Sequence, residues 1–420
     1  MLLGLGSGAV YAALGLGIVL AYRGSGVISF AHGAMAMLAV YTYAELRSTG
    51  DLVVPVPGLP DRIHVAAEVP LVPALFVALG VSALLGFLVH LVFRPLRNAP
   101  ALAKVVASVG IMLVLQAVVL LRFGTKTRSL APILPDEGVD VLGVTIPRDR
   151  FWLAGLAVLL GIALWALFLH TRFGLATRAS AENEKGAILL GLSPDRIAAA
   201  NWVMASMVAG LVGILVAPVT GVDPLKFTLL VVPALGAALV GRFSSFGWTV
   251  AGGLALGAGQ SVITKLQTDY SWVPRVGVKE GLPFLVVIAV LFVVGRRLPD
   301  RASLATAQLP VAPSPRRLAI TASASVATGT AAMLVLRGGY RFGLIVSLVV
   351  AVVCLSLVVL TGYVGQISLA QMALAGIAGF ALSKLADGAG IPFPFSPSLP
   401  SRSPRRSASS SGSRRCASGG

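Results

Sequence analysis

The chain has 420 residues, of which 56% are hydrophobic and only 12% charged, and it carries a formal net charge of +17. A soluble domain has about a quarter of its residues charged, so this composition sets aside a water-soluble enzyme or binding module. The basic surplus fits Lys- and Arg-rich cytoplasmic loops of a membrane protein, and no soluble basic module that could hold nucleic acid is visible.

Charge-free runs cover Leu2–Tyr22, Val69–Phe93, Val105–Leu121, Phe151–Leu169, Ile197–Val222, Phe243–Thr264, Leu318–Leu336 and Phe342–Ser383. A bilayer crossing needs about 20 apolar residues. Most of these runs therefore fit one span, and the last is long enough for two, with a turn at Thr361–Gly365. The expected fold class is all-α: a polytopic transmembrane helical bundle of about eleven or twelve spans, some of them half-spans. The first run has no basic leader and no small-residue cleavage site, so it reads as a retained helix.

In chain order, Leu2–Ala21 is rich in Gly and Ala, residues that let helix backbones approach closely in lipid. The next span is Ile28–Leu46, without an acid or base until Glu45. The loop from Arg47 to Glu68 is nearly neutral, whereas Arg94, Arg97 and Lys104 follow the next span without an acid. The loop after Leu121 holds Lys126 and Arg128 but also Asp136, Glu137, Asp140 and Asp149. Arg172 to Arg196 is the longest polar stretch within this half, and Arg296, Arg297, Arg301, Arg316 and Arg317 lie beyond its last span. By the positive-inside rule the loops at 94–104, 171–197 and 296–317 face the cytoplasm. Those at 47–68, 123–150 and 267–281 face outside, as does the N-terminus. Val231–Val240 and Phe246–Leu266 are Gly-rich and read equally as short, re-entrant or full spans.

The second span returns late in the chain. With a constant offset, Ile28 falls on Ile367, Ser29 on Ser368, Ala31 on Ala370, His32 on Gln371 and Leu46 on Leu385, and Gly26 falls on Gly365. The shared order of apolar span, glycine turn, Ile-Ser and small-residue helix marks two copies of one membrane unit, a construction many transporters use. The second copy is only begun. From Phe393 the sequence turns to Pro, Ser, Arg and Gly with no acid, which reads as a disordered basic tail or as a second unit cut short by a lost reading frame.

No catalytic set stands out. There is no G-x-x-x-x-G-K-[ST] phosphate loop, so ATP hydrolysis is not expected of this chain. His32, His64, His90 and His170 are scattered without ligand spacing, and Cys354 and Cys416 support neither a disulfide framework nor a metal site. No cofactor is expected. No Asp or Glu lies in the middle of a span, which argues against an ion-coupled carrier and leaves energy to a partner. The most informative polar segment is Thr171–Gly213. Ala181 to Leu190 reads as a short helix between Gly174 and Gly191, with Ser193 or Asp195 capping the next one. Such a helix can dock into a partner or be an ordinary loop helix.

The run Tyr22–Met35, YRGSGVISFAHGAM, with Gly6–Ala12 before it, resembles the first permease subunit of bacterial branched-chain amino acid ABC transporters. Arg178-Ala-Ser-Ala-Glu-Asn with Gly191-Leu-Ser and Arg196 resembles the family's coupling loop, and Leu360–Gln371 resembles the start of the second permease. The resemblance covers about residues 1–390. It implies a first permease unit at 1–295, a Pro/Arg linker at 296–317, the start of a second unit at 318–392 and the tail at 393–420. It further implies ABC ATPase subunits, an external substrate-binding protein and another permease subunit as partners, leucine, isoleucine or valine as cargo, and a bacterial plasma membrane location.

By the same resemblance, Arg178, Ala181, Glu182, Asn183, Glu184 and Gly191 would form the ATPase-coupling loop. Ile28-Ser29 departs from the family's usual Asn before Phe-Ala-His-Gly, and Gln371-Met372 from its usual small residues. The second half has no coupling loop of its own. His32 with Ser29, Ser368 and Gln371 could line the pathway, or His32 could be a buried histidine hydrogen-bonded to a neighbouring helix. Rival functions are a permease for urea or small amides, a secondary transporter, and a truncated fusion that moves nothing.

Overall fold

The computed structural model describes residues 2–53, 62–66, 69–97, 99–124, 130–135, 137–141, 144–274, 276–294, 318–360 and 370–389. A short 3-10 turn at Leu2–Gly4 leads into α1 (Leu5–Ser25), which stops where Gly26 turns left-handed at φ +69° and donates its N–H to the Tyr22 carbonyl at 2.7 Å. A left-handed helix terminus is where glycine is least strained. The second span was expected from Ile28, yet α2 (His32–Ser48) begins a turn later. The Ser29 hydroxyl accepts from the Ala31 N–H and the Ser108 hydroxyl from the Phe30 N–H, both at 3.2 Å. Those side-chain bonds hold an irregular turn that a helix would otherwise replace. Every residue of α2 from His32 to Leu46 is buried, so this helix is the core of the bundle.

Around it stand α3 (Leu71–Phe93), α4 (Ala101–Phe123), α5 (Asp149–His170) and, after two short polar helices α6 (Arg172–Glu182) and α7 (Glu184–Leu189), the long α8 (Pro194–Thr220). Then come α9 (Pro224–Leu229), α10 (Val231–Val240), α11 (Phe246–Asp269) and α12 (Val278–Val294). The region left open at 231–266 forms the short α10, which follows the short α9, and then a continuous α11 of 24 residues. Two antiparallel hairpins, β1 (Asp51–Val53) with β2 (Arg62–His64) and β3 (Gly138–Val141) with β4 (Val144–Pro147), add small strands to the loops that the charge rule places outside.

Small residues decide which helices touch. A Cβ on Gly4, Gly8, Gly253 or Gly257 would run into the facing backbone or side chain across the α1–α11 crossing, where Gly8 packs on Leu254 and Gly253 on Ala12. Both helices carry these residues four apart, the spacing that lines up on one face. The α3–α8 contact repeats the device: Gly86 sits on the Trp202 carbonyl, Gly210 on Ser82, and the Ser206 hydroxyl donates to the Ser82 carbonyl. Polar bonds tie the same part of α1, since Tyr11 donates to Gln260 Oε1 at 2.8 Å and Gln260 Nε2 donates to the Lys279 carbonyl at 3.2 Å.

The chain divides into two units, 1–308 and 309–420. The second contains α13 (Leu318–Val335), α14 (Gly339–Val359) and α15 (Gln371–Ala389). The helix α15 starts at Gln371, the position that the internal repeat aligns with His32 at the start of α2. None of the residues of α14 is buried, so its apolar surface is available to lipid. Among the described residues six helices are long and apolar enough to cross a bilayer: Leu2–Ser25, α3, α4 from Ala103, α5, α8 and α14. The remaining crossings of the expected bundle fall to helices that are shorter or richer in polar residues. The linker at 296–317, the turn at Thr361–Gly365, Ser368 and the tail at 393–420 lie outside the described residues.

Candidate functional site

The polar segment before α8 is built by two side-chain caps. Thr171 Oγ1 accepts from the Gly174 N–H at 3.2 Å and starts α6. Asn183 leaves the helical region (φ −144°) and its Oδ1 accepts from the Gly186 N–H at 2.9 Å, which starts α7. The single helix expected over Ala181–Leu190 is thereby corrected to two helices broken at Asn183. An asparagine that bonds the backbone three residues on competes with continued helix. Gly191 closes the segment at φ +81° and donates its N–H to the Ile188 carbonyl at 2.9 Å. Ser193 occupies the cap position of α8 without a side-chain bond, and Pro194 opens the helix. Asp195 is engaged elsewhere.

Three basic side chains at the end of α3 hold this segment. His90 Nε2 lies 3.3 Å from Asp195 Oδ1, Arg94 Nε 3.4 Å from Asp195 Oδ2, and Arg97 Nη2 2.8 Å from Glu184 Oε1. These residues were legible in the sequence only as a topology signal. Their partners on α7 and α8 lie about a hundred residues away in the chain, and nothing in local spacing pairs them.

Of the expected docking residues, Glu182, Asn183, Glu184 and Gly191 are exposed together, whereas Arg178 and Ala181 are half-buried on α6. Arg178 lies near Arg23, whose guanidinium sits 5.1 Å from the Phe168 ring and 5.0 Å from the Phe246 ring. The exposed group is continued by Ile188, Leu189 and Leu190, and Leu189 is 88% and Leu190 80% exposed. Large apolar side chains thus stand out beside charged ones on the same short segment.

Of the second expected set, Ser29 and His32 lie together at the start of α2 and are fully buried. The His32 ring stacks on Trp202 at 5.8 Å between centroids, and Trp202 on Phe93 at 5.2 Å. The ring also lies against the backbone of Ser29 and of Gly17 in the neighbouring α1, and Trp202 Nε1 has no hydrogen-bond partner among the described residues. The burial is that of a packed side chain, stacked on Trp202 and set against the Gly17 backbone. Gln371 opens α15 in the second unit.

A cavity of about 220 Å³ lies at the opposite end of α3, lined by Tyr43, Arg47, Ser48, Leu71, Leu130 and Ile133 among others. Arg47 Nη1 donates there to the Val69 carbonyl at 2.8 Å. Among the described residues no group of three His, Cys, Asp or Glu side chains could hold a metal ion. Among the described residues the arrangement presents an exposed, part charged and part apolar face at Glu182–Gly191, tied to α3 by the Arg97–Glu184 pair.

Residues 1–293 match the family described as branched-chain amino acid transport system / permease component. The high-affinity branched-chain amino acid transport system permease protein LivH of Salmonella typhimurium is 26% identical over 300 residues, covering 68% of this chain and 90% of that protein. The BraD permease protein of the corresponding system of Pseudomonas aeruginosa is 27% identical over 264 residues, covering 61% and 83%. A probable LivH of Methanocaldococcus jannaschii is 26% identical over 260 residues, covering 60% and 76%. Among solved structures, PsaBC from Streptococcus pneumoniae in complex with Fab aligns at 11% identity with a TM-score of 0.37, over 71% of this chain and 91% of that one, a likeness too slight to bear on the fold.

Proposed function

Since the chain belongs to the family of branched-chain amino acid transport permease components, we propose that it is the membrane-spanning part of an ATP-driven importer for leucine, isoleucine and valine. It is a multi-pass membrane protein, and we place it in a bacterial plasma membrane with the α6–α7 end in the cytoplasm. The division of labour follows from the chain's own chemistry. With no phosphate loop in its sequence, ATP hydrolysis falls to separate ATPase subunits. With no acid in mid-span, a coupled ion is not the energy source.

The observation that carries the reading is the exposed face Glu182–Gly191, part charged and part apolar, on two helices capped and ion-paired to the bundle. We assign it to the ATPase contact, with Arg178 and Ala181 shaping its buried side. The opposite end, with the two hairpins and the Arg47 cavity, is then the side that meets an external substrate-binding protein. Another permease subunit completes the pathway. Ser29 and His32 would be reached by the pathway only in a conformation that parts α2 from Trp202.

Capture of the cognate ATPase by the tagged chain from detergent-solubilised membranes tests the docking face. Proline at Gly191 removes the donor to Ile188 and cannot adopt φ +81°. Both Gly191→Pro and Glu182→Lys should lower capture about tenfold, as losing a central contact does, with membrane levels unchanged. Undiminished capture by both variants would remove the assignment.

A further inference from the structure

The ion pairs at the end of α3 are more exposed than stability would ask of them. The side chains of Arg97 and Glu184 are 41% and 45% exposed, and those of Arg94 and Asp195 63% and 39%. Exposed pairs add little to folding, yet here Arg94 and Arg97 converge from one helix end on two carboxylates, with His90 adding a hydrogen-bonding contact to one of them. Glu184 is the first residue of α7 in the docking face, and Asp195 is in the first turn of α8, the helix that follows that face. The Arg97–Glu184 pair therefore joins the docking face to α3, to which it has no direct chain connection, and the Asp195 contacts join α3 to the start of α8.

The helix α3 can carry a displacement. It is 23 residues long, about 34 Å at the rise of an α-helix. It packs on α8 through the Ser82–Gly86 and Ser206–Gly210 contacts, close enough that Gly86 meets the Trp202 carbonyl. Its last turn reaches the docking segment, and its first residue, Leu71, lines the cavity that also holds Tyr43 and Arg47. The two ends of the molecule are thus joined by one rigid element with an ionic grip at the docking end and a cavity wall at the other.

We infer that the Arg97–Glu184 and Arg94–Asp195 ion pairs, with His90 bonded to Asp195, form a latch that makes α3 move with the docking helices, so that a push from the ATPase reaches the outer cavity through α3. Arg97, Arg94 and His90 are then positioning residues for coupling. The inference rests on the ATPase-docking reading above.

The test uses the complete transporter in cells and a charge swap across the latch. Arg97→Glu should lower uptake of labelled leucine about tenfold while ATPase capture stays within about twofold of the parent, and adding Glu184→Arg should restore most of the uptake, since a true pair shows coupling between its two substitutions. A purely structural role for Arg97 would lower membrane levels and capture together and would gain nothing from the swap. A second measurement covers damage to docking by Glu184→Arg itself. With Cys354 and Cys416 replaced by Ser, Arg97→Cys and Glu184→Cys are joined by a short bis-maleimide. The bridged protein should transport faster than the unbridged one. Uptake by Arg97→Glu at the parental rate, or a bridge that leaves uptake unchanged or stops it, would overturn the latch. Failure of the parent chain to capture any ATPase would instead sink the docking reading beneath it.

Discussion

His32 is fully buried, with the backbone of Ser29 and Gly17 beside its ring and the Trp202 indole stacked on it. Burying a polar ring is unfavourable unless it is paired, so the backbone groups, the stack and the close fit of α2 against α8 together hold it in place. Two substitutions separate these contributions. His32→Ala should cost about 2–4 kcal/mol of stability by leaving a cavity between α2 and Trp202, read as a lower thermal midpoint in detergent. His32→Phe keeps the stack but removes the nitrogens that face the Ser29 and Gly17 backbone, and should fall between the alanine variant and the parent. An alanine variant that melts with the parent would contradict a packing role. At this scale the sequence was partly readable. His32 and Ser29 stood out as polar residues in an apolar helix, but their burial against Trp202 did not, because burial depends on which helices meet. Asn183 was quoted as a docking residue and is also the break between α6 and α7. A single polar residue in a helical run gives no sign of which backbone N–H its side chain will accept from.

At the scale of elements, the spans were legible because a bilayer crossing needs a long charge-free run, and the observed helix ends fall within a few residues of those runs. What was not legible is the set of contacts between them. The glycines of α1 and α11 were visible as small residues, yet only the structure pairs Gly8 with Leu254 and Gly253 with Ala12. That pairing predicts a contrast within α11. A methyl group on Gly257 would meet the backbone of Gly8 and Gly4, whereas one on Gly247 meets nothing within 4 Å. Gly257→Ala should therefore cost about 1–3 kcal/mol by overpacking. Gly247→Ala should be neutral or stabilise by up to about 1 kcal/mol by restricting the unfolded chain. The fraction of monodisperse protein left after heating in detergent checks both, and equal losses would contradict the α1–α11 packing. The hairpins β1–β2 and β3–β4 escaped the sequence reading because strands of three or four residues are too short to show an alternating pattern.

For the whole molecule, the first unit carries the family match at 1–293 and the segment assigned above by proposal to the ATPase contact. The second unit repeats a beginning: α15 starts at the residue aligned with the start of α2. Family and fold class were readable because the motifs at Tyr22–Met35 and Arg178–Arg196 are local strings of residues. The grip of α3 on the docking helices was not, because it joins residues 97 and 184, and 90 and 195, across the fold.

The central claim, import of branched-chain amino acids, is tested most directly by uptake of radiolabelled leucine into cells lacking this chain, with the cognate binding protein and ATPases present. Returning the chain should restore ATP-dependent uptake that unlabelled valine blocks and urea does not. No restoration with the protein confirmed in the membrane, or uptake blocked by urea alone, would contradict the account.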